Sequence, residues 1–212
     1  MAVLAADGFE QVEVTRPLRE LIRQGAVVDI VSLHRGGIRG MNAMLPGIKL
    51  RVNRTVHQAR PSDYDALLIP GGLINPDLLR QSERARSFAH AFDVAGKPIA
   101  TVCHGPWLLV SAGLVRGRRL AAWPGIKDDI ENAGGTWVDE PLVTDGNWVS
   151  SRSPLDLADF ERGMVELFEG AFRRSAAGAR PRPFSAYRPT SRLAFLLGVG
   201  LFAAVRRVWL PA

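Results

Sequence analysis

Short apolar runs alternate with helical patterns along most of this chain. Val3-Leu4-Ala5-Ala6 is an apolar run of strand length, closed by the turn pair Asp7-Gly8. Phe9 to Gln24 carries Val12, Leu18, Leu21 and Ile22 at helical spacing, with Gly25 as the stop. Pro17 falls inside that span and predicts a kink or a later start. Ala26 to Leu33 is a second strand, so the first third of the chain reads as a βαβ unit with parallel strands. Glycines and prolines punctuate the next stretch, and Ile48 to Val52 alternates apolar with polar. Residues 34–55 are therefore expected to form an antiparallel excursion. Tyr64 to Ile69 is a buried strand ending in Pro70-Gly71-Gly72. Asn75-Pro76-Asp77 reads as the cap and first turn of a helix, and Ser82 caps a longer one through Ala95-Gly96.

The central stretch is Pro98-Ile99-Ala100-Thr101-Val102-Cys103-His104-Gly105-Pro106. An apolar strand turns there into a helix that begins near Pro106 and runs to Leu114. Arg119 to Ala122 returns as a strand, and Gly125 to Asn132 is helical. Thr136 to Val138, Leu142 to Thr144 and Trp148 to Ser151 are short strands, the last two joined by an Asp145-Gly146 hairpin turn. Pro154 to Leu167 is a closing amphipathic helix. Strands alternating with helices predict an α/β fold around a mostly parallel sheet.

Composition changes near Gly170. The expected organisation is a catalytic-size domain over 1–170, then an Arg/Pro-rich linker and short apolar segment over 171–212. Leu193 to Val205 is an uncharged apolar run of 13 residues between Arg192 and Arg206-Arg207. It falls short of the roughly 20 residues that cross a bilayer. Docking on the body, lying at a membrane surface through 193–207, shallow insertion and a weakly ordered tail all stay open for it. The net charge of +6 is a property of this tail, which holds eight arginines and no acid beyond residue 170 and leaves −2 for the rest. That argues against nucleic acid as a partner of the body.

One cysteine in 212 residues excludes a disulfide framework and a multi-cysteine zinc site, and suits a reducing, cytoplasmic compartment. The start of the chain lacks the basic region of a signal peptide. That cysteine, Cys103, sits at the strand-to-helix elbow. Such a position holds a nucleophile above the sheet edge, and a helix N-terminus is expected to ease loss of the thiol proton. The plainer reading, a small buried hydrophobe, is outweighed by the elbow and by the adjacent His104, a candidate base. Backbone N–H groups of His104, Gly71 and Gly72 are candidate oxyanion donors. Glu10, after the first strand, is the candidate carboxylate on the same sheet edge, and Glu13 competes for that role. His34, His57 and His90 lack metal-ligand spacing, and no dinucleotide or P-loop glycine pattern occurs.

Five motifs in order resemble the PfpI family, within the superfamily of the Parkinsonism-associated deglycase and the class I glutamine amidotransferase-like domains. They are Asp7 to Glu13, Leu68 to Gly72, Ala100 to Pro106, Gly125 to Asp129 and Asp145 to Arg152. The resemblance covers residues 1 to about 169. It implies a flavodoxin-like three-layer sandwich, a dimer or larger homo-oligomer, and no fixed cofactor or metal. It also implies Cys103 as nucleophile, His104 as its partner, Glu10 as the helix-start glutamate and a substrate pocket lined by the aromatic Trp123 and by Pro106. The family's proteases use an acid after the Pro-Gly-Gly turn, reaching histidine from a neighbouring subunit. Its match is Asp77, one position displaced and a methylene shorter. The implied activities are a stress-related deglycase or glyoxalase acting on methylglyoxal or glyoxal adducts, an intracellular cysteine peptidase, or a non-enzymatic redox-sensing or chaperone-like protein.

Overall fold

The structure, a computed structural model, describes residues 1–178. The expected roles of 193–207 lie outside the described residues. In chain order the elements are β1 (Ala2–Leu4), β2 (Phe9–Glu10), α1 (Gln11–Arg23), β3 (Asp29–Ser32), β4 (Gly37–Asn42), β5 (Leu45–Arg51), β6 (Arg54–Thr55) and β7 (Leu67–Ile69). There follow α2 (Ile74–Gln81), α3 (Glu83–Val94), β8 (Ile99–Val102), α4 (Pro106–Ser111), β9 (Arg119–Leu120), α5 (Lys127–Asn132), β10 (Thr136–Trp137), β11 (Val143–Asp145), β12 (Trp148–Ser151) and α6 (Leu157–Gly178).

The main sheet has the order β11-β12-β8-β7-β1-β3-β6. All its pairings are parallel except β11 with β12, which close the edge as a hairpin. Strands before β7 build outward from β1 in one direction, and β7, β8 and β12 build outward in the other. The order therefore reverses between β1 and β7. At such a switch point the loops leaving neighbouring strands diverge and open a crevice at the carboxyl ends. Alternating side chains divide the core into two layers. Leu4, Leu67, Ile69 and Ile99 pack with Leu79, Phe88, Phe92 and Leu108 of α2 to α4. Val3, Leu68, Ala100 and Val102 pack with Val14 and Leu21 of α1 and with Phe160 and Met164 of α6. Fully burying a side chain such as Phe92 or Phe160 is worth about 1.5–3 kcal/mol. The three-layer α/β sandwich expected above is what forms.

Three local expectations change. Residues 37–51 do form an antiparallel hairpin, but β2 adds to it in parallel as a third strand. Because Phe9 and Glu10 are spent on that pairing, α1 starts at Gln11 and its buried stripe is Glu13, Val14, Pro17 and Leu21. Ile22, expected on the apolar face, is 58% exposed. The helix runs on through Pro17, whose ring nitrogen simply offers no donor to the carbonyl a turn earlier. Finally, α6 continues to Gly178, so the boundary expected at Gly170 and the start of the linker at Ser175 fall inside it. Phe168 still packs on the core and Arg173 pairs with Glu169 one turn back, so the helix gains support past that point.

Candidate active site

The site forms where the loops after β1, β7 and β8 meet. Cys103 has φ 59°, a left-handed conformation that costs a residue with a Cβ about 1–2 kcal/mol. Two main-chain hydrogen bonds hold it there. Its N–H donates to Ser151 O at 3.1 Å, and its carbonyl accepts from Trp123 N–H at 2.9 Å. Gly105 lets the chain turn at once, since a Cβ there would lie 2.5 Å from Thr101 Oγ1 and 2.6 Å from Ile69 O. This is the strained strand-to-helix elbow that the local sequence predicts.

The Cys103 thiol is buried, and His104 Nδ1 lies 3.2 Å from its Sγ. Burial, and after it the Glu13 carboxylate, push the thiol's pKa well above its ordinary value. The N–H groups of Gly72 and His104 hydrogen-bond the sulfur and pull the other way. The expectation of an easily ionised thiol is thereby corrected: α4 has only six residues, and its weak dipole does not offset desolvation of the sulfur. What replaces it is a set of directed donors.

The carboxylate of the site is Glu13. Glu13 is fully buried and accepts from Gly71 N–H at 2.7 Å. Burial raises its pKa to about 8, against the opposing hydrogen bonds of Gly71 and the Cys103 thiol. At neutral pH the carboxyl therefore keeps its proton. In that form it does not repel the thiolate that forms during reaction and can donate a hydrogen bond to it.

Glu10 goes elsewhere. It ends β2, and its carboxylate accepts from Ala43 N–H in the β4–β5 turn at 3.0 Å. The two glutamates sit three residues apart, but the helix phase turns Glu13 inward.

Of the three expected oxyanion donors, Gly71 is corrected: its N–H is spent on Glu13 Oε2, which leaves Gly72 and His104 as the candidates. A Cβ on Gly71 would meet that of Cys103 at 2.7 Å, and Gly72 (φ 85°) packs on Gly8 O and Glu10 N. His104 stacks on Trp123 with ring centroids 5.7 Å apart and meets Trp107 edge-on at 5.4 Å. Burial lowers its pKa, which favours the neutral imidazole. Trp123 is 41% exposed and so presents an open aromatic face beside the base. Pro106 is buried at the first position of α4, where it shapes the elbow more than a pocket wall. Asp77 does not join this group within the chain; its carboxylate accepts from Gln81 Nε2 at 3.0 Å.

Sequence reasoning missed two supporting residues. Trp107 is fixed by donation from Nε1 to Asp129 Oδ2 at 3.0 Å. Asn75, whose sequence context predicts a cap, is buried within α2 and bonds the loops after β1 and β7. His34, His57 and His90 are all exposed, and His34 pairs with Asp7 at 2.8 Å. Among the described residues no group of three His, Cys, Asp or Glu side chains is placed to hold a metal ion, and no helix is long and apolar enough to cross a membrane.

The profile of the DJ-1/PfpI family matches residues 1–167. The chain is 45% identical over 166 residues to Deglycase PH1704 of Pyrococcus horikoshii, covering 78% of this chain and 97% of that protein. It is 36% identical over 170 residues to a Bacillus subtilis protein provisionally named cysteine protease YraA, covering 80% and 98%. Among solved structures, a two-domain protein from Anabaena variabilis with DJ-1/ThiJ/PfpI-like and ferritin-like domains aligns with a TM-score of 0.74 and 31% identity. That alignment covers 88% of this chain and 51% of the two-domain one.

Proposed function

Since the chain belongs to the DJ-1/PfpI family and is a cysteine-dependent hydrolase of the deglycase/PfpI type, we propose that it acts on methylglyoxal, glyoxal or their adducts on amines. The observation that carries this reading is the cluster on Cys103 Sγ: His104 Nδ1 at 3.2 Å, two backbone donors and the protonated Glu13 carboxyl. A small aldehyde needs little more than this.

The sulfur adds to the aldehyde carbon, a C–S bond forms and the carbonyl oxygen takes a proton. Neutral His104 removes the hydrogen of that carbon, and the neighbouring keto carbon receives one, which oxidises the first carbon and reduces the second. The resulting thioester is hydrolysed. Water supplies OH to the acyl carbon and H to the sulfur, so methylglyoxal plus water gives lactate with no outside reductant. The N–H groups of Gly72 and His104 are suited to the developing oxyanion. In an amine adduct of the same dicarbonyl the C–N bond breaks as the C–S bond forms, the nitrogen takes a proton and leaves as free amine, and the hemithioacetal then follows the same course.

A peptidase would need an acid on His104, and within one chain Asp77 is engaged with Gln81 instead. A homo-oligomer belongs to this proposal. Leu73 and Ile74, 58% and 48% exposed, lie close to Asp77 in sequence and suit burial against a second copy. Sedimentation of the purified chain reads that directly.

The decisive assay is lactate release from methylglyoxal beside cleavage of small peptidyl substrates, with wild type and Cys103→Ser. Turnover of methylglyoxal that disappears in Cys103→Ser supports the reading. Turnover that survives the substitution, or peptide cleavage alone, overturns it.

A further inference from the structure

Asn75 is buried, polar and absent from the chemistry described so far. Three of its four side-chain hydrogen-bonding positions, both donors among them, are used. Oδ1 accepts from Ala6 N–H at 2.6 Å, and Nδ2 donates to Pro70 O at 2.8 Å and to Gly71 O at 3.0 Å. Its amide orientation is fixed by these partners, because a backbone N–H can only donate and the two carbonyls can only accept.

The two carbonyls belong to consecutive peptides, and the described chain holds no cis bond. In a trans peptide the C=O and the following N–H point in opposite directions. Pulling Pro70 O toward Asn75 therefore aims Gly71 N–H the other way, where it meets Glu13 Oε2 at 2.7 Å. Pulling Gly71 O toward Asn75 likewise aims Gly72 N–H at the Cys103 sulfur, to which it donates. Glu10 N–H also reaches Gly71 O, but only at 3.3 Å. The third bond, to Ala6, ties the same amide to the loop after β1, from which Glu13 descends.

From this we infer that Asn75 is a positioning residue that orients, with one side-chain amide, the separate backbone donors serving Glu13 and Cys103. It touches neither reacting group. The inference rests on the reading of Cys103 as the nucleophile and adds to it a determinant of thiol reactivity on another element, α2. Asp at this position would keep the acceptor for Ala6 but lose both donors, and would set an oxygen against the two carbonyls. Both peptides would then lose the bond that sets their orientation, leaving only Glu13 and the longer Glu10 contact to hold them, and the Gly72 N–H would turn from the sulfur.

Cys103 is the only cysteine in the sequence, so alkylation by iodoacetamide reports on this thiol alone and needs no substrate. We expect Asn75→Asp and Asn75→Ser to alkylate about tenfold more slowly than wild type at pH 7, with the pH profile moved up by about one unit. Asp93→Asn serves as the structural control. It weakens a polar cluster at the far end of α3 and should leave the profile in place. Asn75 variants that fold and alkylate with the wild-type profile overturn the inference, whatever happens to methylglyoxal. So does an equal shift in Asp93→Asn, since the effect would then be general destabilisation. If neither Asn75 variant folds, side-chain amide exchange in the wild type decides. Strong protection of the Asn75 Nδ2 protons supports the inference, and exchange at the rate of exposed asparagines overturns it. Loss of the proposed activity reading would show separately, as methylglyoxal turnover that survives in Cys103→Ser.

Discussion

Glu13 accepts a 2.7 Å hydrogen bond from Gly71 N–H, so the buried carboxyl of α1 and the glycine turn after β7 act as one unit. That unit is built across the point where the strand order reverses. Cys103 arrives from the next strand to meet it. The coupling makes several outcomes predictable.

The buried Glu13 carboxyl makes stability depend on pH. Its folded pKa, about 8, lies above the unfolded value of 4.5, so the folded state holds an extra proton between those limits. Its contribution is fully present below about pH 4.5 and is lost as pH rises through 8, at about 1.4 kcal/mol per pH unit. Glu13→Gln should flatten this part of the profile. Urea midpoints measured from pH 4.5 to 9 on both proteins check it; parallel curves would remove Glu13 as the cause.

Glu10→Gln separates the two glutamates. A glutamine still accepts from Ala43 N–H, and nothing in the site is disturbed. Alkylation of Cys103 and turnover should stay within about twofold of wild type, whereas Glu13→Gln removes the acid proton facing the sulfur and should lower both at least tenfold.

Gly72→Ala should abolish the site. Its φ of 85° disfavours any Cβ, and that Cβ would lie 2.4 Å from Gly8 O, which is backbone and cannot swing away. The loop after β7 must shift and carry its N–H off the sulfur. We expect a melting temperature lower by several degrees and at least a hundredfold loss of turnover, measured by thermal melts and lactate release.

Far from the site, Asp93 Oδ1 accepts from Arg118, Asn147 and Trp148 together, at 2.8, 3.2 and 2.7 Å. Arg118 also lies over the Trp148 ring, 4.6 Å from its centroid. Asp93→Ala leaves the Trp148 indole N–H unpaired, while Arg118 keeps Asn147 Oδ1 and Asn147 keeps Lys97 O, and should cost about 1–3 kcal/mol. Denaturant unfolding should show that loss with Cys103 alkylation unchanged.

The elements most legible in the sequence were those whose causes are local. The elbow around Cys103, the Asp145-Gly146 hairpin and the Ser82 cap, which accepts from Ala85 N–H at 3.3 Å, each follow from a few neighbouring residues. The choice between Glu10 and Glu13 did not, because it depends on where α1 begins, and that is set by the pairing of Phe9 and Glu10 with Gly40 and Met41. A signal was present even so: Glu13 stands four and eight residues before Pro17 and Leu21, on the stripe that is buried. Asn75 offered no such signal. Its three partners lie on loops after two different strands, and only the folded sheet brings them together.

The left-handed backbone of Cys103 sets function and durability against each other at a single position. Glycine would adopt φ 59° without penalty, so Cys103→Gly should raise the melting temperature while erasing the nucleophile. A population of variants screened only for survival of heat would drift toward glycine there and arrive at a sturdier, inert scaffold. The cysteine stays at this bend only under a demand that resistance to unfolding does not register.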